Sequence, residues 1–400
     1  MIKHCSKNIT PDSITGMIFA LEGIKNTIVL LNGPMGCKFY HSTTSQYLTI
    51  KPALYLPLSE DGKKVPVDYN FLNNWFFRQS RVPCTYLDGY DYVYGTSEKV
   101  AEGLRYLKEH VEFDLLAIVN SPGASLIGDN LKELANQILP DCLCVMLESP
   151  GYSQNYSVGY EEAILELFNQ VGKKLWVKNS NNIEKKSTLK PKTINLLGMS
   201  IWHRYMDGDK AELIRLFELC NIHVNCCPGA DCSLEELKKL PEADLNVVIY
   251  PEMGRRSAEY LEKCYNIPYY MCPGPPIGFK AVETMFSQIC RLLGLDCTPV
   301  MMDSEKARAL AWAKIDYIYQ MFGLPKGVSF AVEGSWSEVY SYTRFLIEYL
   351  GMIPDCLSIT GEKETSIERE LTLLLEKYHV GQPEKKDIMD TSAELVFANA

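Results

Sequence analysis

Thr27-Ile28-Val29-Leu30-Leu31-Asn32-Gly33-Pro34-Met35-Gly36-Cys37 is the stretch that decides the fold. Its first five residues are β-branched or apolar without polar alternation, the pattern of a short parallel strand covered on both faces. The run breaks at Asn-Gly-Pro, which marks a turn. It thereby delivers Cys37 to the C-terminal edge of a parallel sheet, where open α/β folds bind ligands. Gly33 and Gly36 allow the backbone to approach a bulky inorganic object closely. Free backbone N–H groups in such a loop can point at sulfur, so a thiolate here suits a metal cluster. A tight Gly-Pro turn around a buried thiol is the plainer reading of the same residues.

Working outward, further apolar strands are expected at Leu115–Asn120, Cys142–Leu147, Thr193–Gly198, Leu245–Tyr250 and Gly327–Val332. Amphipathic helices lie between them. Val100, Leu104, Leu107 and Val111 share one face; Leu131, Leu134, Ala135 and Ile138 share another; Leu213, Leu216, Phe217 and Cys220 share a third. Asp209 is the expected N-cap of that third helix, and Ser233 with Glu236 has capping-box spacing. Strand–helix alternation predicts an α/β protein of doubly wound parallel sheets. The polar stretch Lys178 to Lys192 reads as a linker, and a second seam is placed near Cys297 to Ser304. Three Rossmann-like units result, at about 1–185, 186–300 and 301–400, in line with the two to three domains suggested by 400 residues. The tail Ala393 to Ala400 reads as a strand with no helix after it, so the third unit is abbreviated.

Hydrophobic residues make up 46% of the chain, enough for sizeable cores, and the formal net charge is -10. That acidic balance argues against nucleic acid or an anionic membrane as the main partner. No signal-peptide core follows Met1-Ile2-Lys3-His4-Cys5, and the longest apolar runs, such as Ile194 to Trp202, are too short to span a bilayer. A soluble, cytoplasmic protein is expected. Its 14 cysteines are then thiols or metal ligands rather than disulfides. Most read as small core hydrophobes: Cys142 and Cys144 in an apolar strand, Cys220 on a helix stripe, Cys264 and Cys272 around Ile267-Pro268.

A second cysteine gives Cys37 its meaning. Cys84 stands in Val82-Pro83-Cys84-Thr85, shortly before Asp91-Tyr92-Val93-Tyr94-Gly95. Alone it is an ordinary loop cysteine. Together the two supply half of the four thiolates that a cubane cluster takes, which suggests a [4Fe-4S] cluster shared between two chains. Two further strand-to-helix turns, Asn120-Ser121-Pro122-Gly123 and Glu148-Ser149-Pro150-Gly151-Tyr152, either line the same crevice or simply connect. Cys226-Cys227-Pro228-Gly229-Ala230-Asp231-Cys232 reads as structural, since no second pair at zinc-site spacing completes it. His41, near Cys37, reads as solvated or hydrogen-bonding. No phosphate-binding G-x-x-x-x-G-K-[ST] loop is present, so this chain is not expected to hydrolyse ATP itself. Nor is there a dinucleotide fingerprint, an H-E-x-x-H run or a Ser/His/Asp signature.

In their order these motifs resemble component 1 of nitrogenase and its relatives, over nearly the whole chain. The relatives include dark-operative protochlorophyllide and chlorophyllide reductases, the reductive cyclase of nickel-tetrapyrrole synthesis and methylthio-alkane reductases. The family's H-G-P-x-G-C loop stands here as Asn32-Gly33-Pro34-Met35-Gly36-Cys37, with Asn32 replacing the histidine. Its D-x-V-F-G segment is similar to Asp91-Tyr92-Val93-Tyr94-Gly95 after Cys84. Its L-I-G-D-D turn is similar to Leu126-Ile127-Gly128-Asp129-Asn130, and its E-G-F segment to Glu148 to Tyr152.

The resemblance also marks departures. The place of a third cluster cysteine is held by Pro122, and the place of the cofactor-holding cysteine falls near Tyr250, where no cysteine stands. The large nitrogenase cluster and its iron–molybdenum cofactor are therefore not expected. The resemblance implies a simpler, low-potential reductase subunit: a small-molecule substrate, two chains giving Cys37 and Cys84 each to one [4Fe-4S] cluster, and an ATP-dependent iron–sulfur reductase as electron donor. A homodimer is expected, with a heterodimer of related subunits as the alternative. Asp88, Asp91 and Glu148 are candidate proton donors, none singled out. The rival readings are a scaffold that assembles or carries a metallocluster without turnover, and a cluster-free binding module.

Overall fold

The computed structural model describes residues 11–34, 37, 65–66 (backbone only), 82–149, 154–176, 191–203, 205–381 and 388–398. Gly36, His41, the segment 150–152 and nearly all of the expected linker lie outside the described residues. The strands are β1 (Thr27–Asn32), β2 (Val65–Pro66), β3 (Val111–Glu112), β4 (Leu115–Asn120), β5 (Leu143–Glu148), β6 (Lys192–Leu197), β7 (Ile222–Cys226), β8 (Leu245–Val248), β9 (Tyr269–Met271), β10 (Ser329–Gly334), β11 (Ile353–Ile359) and β12 (Leu395–Phe397). They form three main parallel sheets, ordered β1-β4-β5, β7-β6-β8-β9 and β11-β10-β12, and a two-stranded ribbon β2-β3. Helices connect the strands, as parallel pairing requires.

The expected strands are found within two residues of their sequence bounds, except that β8 stops at Val248 and Tyr250 instead caps the helix Pro251–Tyr265. Strands β2, β3, β7, β9 and β11 are additions, and Val111 lies in β3, just past the end of the helix whose face it was expected to share. Ser233 and Glu236 form the expected reciprocal capping box. Asp209 is not an N-cap: the helix Met206–Leu219 starts earlier, capped by Tyr205, and Asp209 lies in its first turn, where a carboxylate still meets the positive end of the helix dipole. The stretch 297–304, where the second seam is placed, holds the start of the helix Thr298–Phe322, with Val300 and Ser304 buried.

One continuous apolar core joins the first two sheets, running from Ile14 through Val119 and Phe217 to Val300. A second core lies under the other face of the first sheet, and a third belongs to β10 and its helices. Each fully buried Leu or Ile contributes about 1.5–3 kcal/mol relative to exposure. The wedge between the first two sheets is the helix Ser13–Glu22, buried along its whole length. It crosses the helix Tyr156–Leu167 at two glycines: a Cβ on Gly16 would lie 2.0 Å from the Tyr156 carbonyl oxygen, and one on Gly159 would lie 2.0 Å from that of Ser13.

Candidate metal centre at the strand edge

Parallel register brings the last residues of β1, β4 and β5 to one edge: Asn32 pairs with Asn120, and Asn120 with Glu148. The chain from Pro83 to Leu87 then runs along the free side of β1. Leu31 donates its N–H to Pro83 (2.9 Å), Thr85 donates to Leu31 (3.0 Å) and Leu87 donates to Gly33 (3.1 Å). This pairing, bridging Leu31 and Cys84, carries Cys84 to the Cys37 loop.

The two thiols share one environment. The Cys84 thiol donates to the Gly33 carbonyl at 3.1 Å and its sulfur accepts the Tyr86 N–H at 3.5 Å. A Cβ on Gly33 would sit 2.8 Å from the Ser121 Cβ and 3.9 Å from the Cys37 Sγ, so the chain passes closely here and only glycine fits. Both thiols are half-buried. Burial, with Asp12 and Cys84 adding like charge, pushes the Cys37 thiol up to about 11. Iron bound here would hold its cysteine ligands as thiolates.

A buried polar chain fixes both loops. Gly33 donates its N–H to Thr85 Oγ1 (3.1 Å), whose hydroxyl donates to Asn32 Oδ1 (3.0 Å). Asn32 Nδ2 donates to Thr96 Oγ1 (3.0 Å) and to Asn120 Oδ1 (2.9 Å). Asn120 Nδ2 reaches both Glu148 oxygens, at 2.9 and 3.1 Å. Asp129 accepts the N–H and hydroxyl of Thr96 at 2.5 and 2.9 Å. The side chains that sequence reading missed here are Thr85, Thr96 and Lys99. Lys99 Nζ contacts Asp91 Oδ2 at 2.5 Å and Asp88 Oδ2 at 3.4 Å. Of the candidate proton donors, Asp88 is held below the usual carboxylate range by the backbone N–H groups of Asp91 and Tyr90, with Lys99 helping, so it stays ionised and has no proton to give at neutral pH.

Other cysteine expectations resolve simply. Cys226, Cys227 and Cys232 are core residues, 2%, 2% and 0% exposed. Cys272 is buried as expected, but Cys264 is exposed on its helix rather than buried. Among the described residues no three His, Cys, Asp or Glu side chains gather at metal-ligand spacing. No further ligand-type side chain joins Cys37 and Cys84 among the described residues. Beside them a patch stays uncovered, with Tyr90, Val93 and Tyr94 67–73% exposed. The donor chemistry, the close approach at Gly33 and the amide on sulfur fit half of an iron–sulfur site.

A second feature is a packed aromatic cluster formed by residues that follow the C-terminal ends of β5, β6 and β8. Tyr156 and Ser200 share a hydrogen bond at 2.7 Å, and Trp202 packs 5.1 Å from the Tyr156 ring. His203 stacks on Tyr250 with ring centroids 3.9 Å apart. Burial pushes His203 down to about 4, so the ring is neutral at pH 7.

The family profile described as "Nitrogenase component 1 type Oxidoreductase" matches residues 13–400. The chain belongs to this family. Among curated relatives, it is 27% identical over 280 residues to a light-independent protochlorophyllide reductase chain of a Synechococcus species, covering 68% of this chain and 50% of the relative. It is 29% identical to the corresponding chain of Halorhodospira halophila, covering 56% and 42%. The chain therefore spans about half the length of the curated relatives it matches. A solved structure of nitrogenase Cp1 at pH 6.5 superposes with a TM-score of 0.68 at 17% identity, covering 94% of this chain and 76% of that one, which shows the shared fold. As a component 1 type oxidoreductase the chain carries an α/β architecture of parallel sheets, and the described residues include no helix long and apolar enough to cross a membrane.

Proposed function

We propose that this component 1 type chain is the substrate-reducing subunit of a cytoplasmic, low-potential reductase, built from three Rossmann-like units at about 1–185, 186–300 and 301–400. Cys37 and Cys84 of two chains would hold one [4Fe-4S] cluster on a two-fold axis, Gly33 and Gly36 leaving room for it. The observation that carries the reading is the strand-edge pairing of Leu31 with Cys84, which sets two thiols around Gly33 beside an uncovered patch. A two-fold interface turns two thiolates into four. When bound, the cluster supplies one-electron transfer at low potential, its value set by burial and by hydrogen bonds such as the Tyr86 amide on sulfur.

The chain's own residues position this chemistry. The Asn32–Asn120–Glu148 chain holds the two cysteine loops in register, and the surface beside the aromatic cluster of Tyr156, Trp202, His203 and Tyr250 is the proposed seat of a small-molecule substrate. Electrons come from an ATP-dependent iron–sulfur reductase, a separate protein, since this chain carries no phosphate-binding loop. The names of the curated relatives make protochlorophyllide one substrate to try first.

The test mixes reduced ATP-dependent reductase with the anaerobic protein. ATP-dependent oxidation of that reductase by wild type, lost in Cys84→Ala, supports the reading. A cluster that passes to an apo-protein acceptor, without accepting electrons, would instead assign the chain to cluster assembly.

A further inference from the structure

Strand β9 runs into Cys272-Pro273-Gly274-Pro275-Pro276-Ile277, and this segment walls a cleft whose other side is the helix Trp336–Leu350. The prolines fix the backbone of the loop. Gly274 presses it onto the helix: a Cβ there would lie 2.4 Å from the Ser337 carbonyl oxygen and 2.5 Å from Ser341 Oγ. The cleft is therefore preformed. Tyr270, Ile277 and Met285 line it with apolar surface, and Tyr340 and Arg344 bring polar groups to it. Its volume is about 40 Å³. One water needs roughly 10–15 Å³ on that measure, so the cleft has room for a group of about three heavy atoms.

Arg344 gives the cleft its chemistry. It donates Nε to Glu348 at 3.1 Å, the two side chains being 18% and 8% exposed. A guanidinium has five N–H donors, and the neighbouring Tyr340 oxygen accepts two at most, so at least two donors of Arg344 are left over. Positive charge is in surplus as well. Glu348 also meets Lys377 at 3.2 Å and Lys280 at 3.6 Å, and Glu370 is the second carboxylate within electrostatic reach of Tyr340. Three cations thus face two carboxylates.

We propose that this cleft binds the carboxylate of a small molecule whose apolar part lies over Tyr270 and Ile277. A carboxylate has three heavy atoms and two oxygens in one plane, which matches both the space and the remaining fork of a guanidinium. A phosphate group is larger and asks for more donors, and the prolines of the loop have no N–H to give it. A neutral group would leave the surplus charge unmet. Cys272 donates its N–H to Val248 at 2.9 Å, so the cleft opens at the same sheet edge as Tyr250. Resting on the reductase reading, this makes the cleft the place where the acid group of the substrate is held.

The test uses the full-length protein purified without oxygen, with sodium hexanoate as the probe and saturation-transfer NMR as the readout. Hexanoate is expected to bind with a Kd on the order of 1 mM, and hexanamide, the same body without the charge, at least about 10-fold more weakly. Arg344→Gln is expected to weaken hexanoate at least about 10-fold. Ala281→Phe fills the cleft without touching the Arg344–Glu348 pair, so it separates a lost site from a lost fold: hexanoate binding disappears and the thermal melt is unchanged. Equal binding of hexanoate and hexanamide, no binding at about 10 mM, or full binding by both variants overturns the proposal. Displacement of hexanoate by an equal concentration of inorganic phosphate overturns the carboxylate assignment in favour of a phosphate ligand. None of these readouts needs the cluster. Protein that binds hexanoate but does not oxidise the ATP-dependent reductase keeps the cleft and loses the reductase reading; the reverse result loses the cleft alone.

Discussion

Asn32 donates its side-chain amide to Asn120 across paired strand ends, 2.9 Å apart and both buried. That bond joins the Cys37 loop to the floor of the site, while Thr85 on the other side of Asn32 ties in the Cys84 segment. Replacement by an isosteric apolar residue, Asn32→Leu, leaves the Thr85 and Thr96 hydroxyls and the Asn120 carbonyl each short of a partner. The expected loss is about 1–3 kcal/mol for each group left buried without one. Urea denaturation of the variant measures it; an unchanged midpoint would show that the polar chain does not hold the loops.

The helix crossing at Gly16 and Gly159 has no room for a methyl group, because the atoms in the way are backbone carbonyls that cannot rotate aside. Gly16→Ala and Gly159→Ala are each expected to destabilise by about 3 kcal/mol, at the upper end of overpacking costs. Gly103, inside the helix Ser97–His110, has nothing within 4 Å of its Cβ position. Gly103→Ala should therefore stabilise by about 0.5–1 kcal/mol through helix propensity. Parallel denaturation curves for the three variants check both signs at once.

Glu161 is buried, and burial raises it from 4.5 to about 8 despite the Arg256 N–H at 2.5 Å and the nearby Arg256 and Arg255 charges; Glu259 adds to the rise. A folded value above the unfolded one means that the native state holds the extra proton. The stability it contributes is full below about pH 4.5 and is lost as pH rises through about 8. Glu161→Gln keeps the acceptor for Arg256 and removes the proton. Melts from pH 5 to 9 should then slope downward less steeply for the variant than for wild type. Parallel slopes would mean that Glu161 ionises freely in the folded protein.

The strands that sequence alone revealed are those rich in uninterrupted apolar residues. Those it missed are edges. In β7, Ile-His-Val-Asn-Cys alternates polar with apolar and has a register shift; β11 contains Pro354 and Asp355; β9 has three residues. Edge strands bury less, so their composition carries less signal. The two cysteines were legible from their Gly and Pro settings and from motif order. Their meeting was not, because Val82-Pro83-Cys84 has no strand pattern and pairs with β1 only in three dimensions. The ladder Asn32–Asn120–Glu148 depends on register across three strands, which local sequence does not encode.

The central claim is a cluster shared between two chains, and iron with acid-labile sulfide per dimer tests it most directly. The protein is purified without oxygen and reduced for electron paramagnetic resonance, as wild type, Cys37→Ala and Cys84→Ala. About four irons and four sulfides per dimer, with a reduced [4Fe-4S] signal lost in both variants, is the expected result. No iron after anaerobic reconstitution, or a full cluster in either alanine variant, would contradict it.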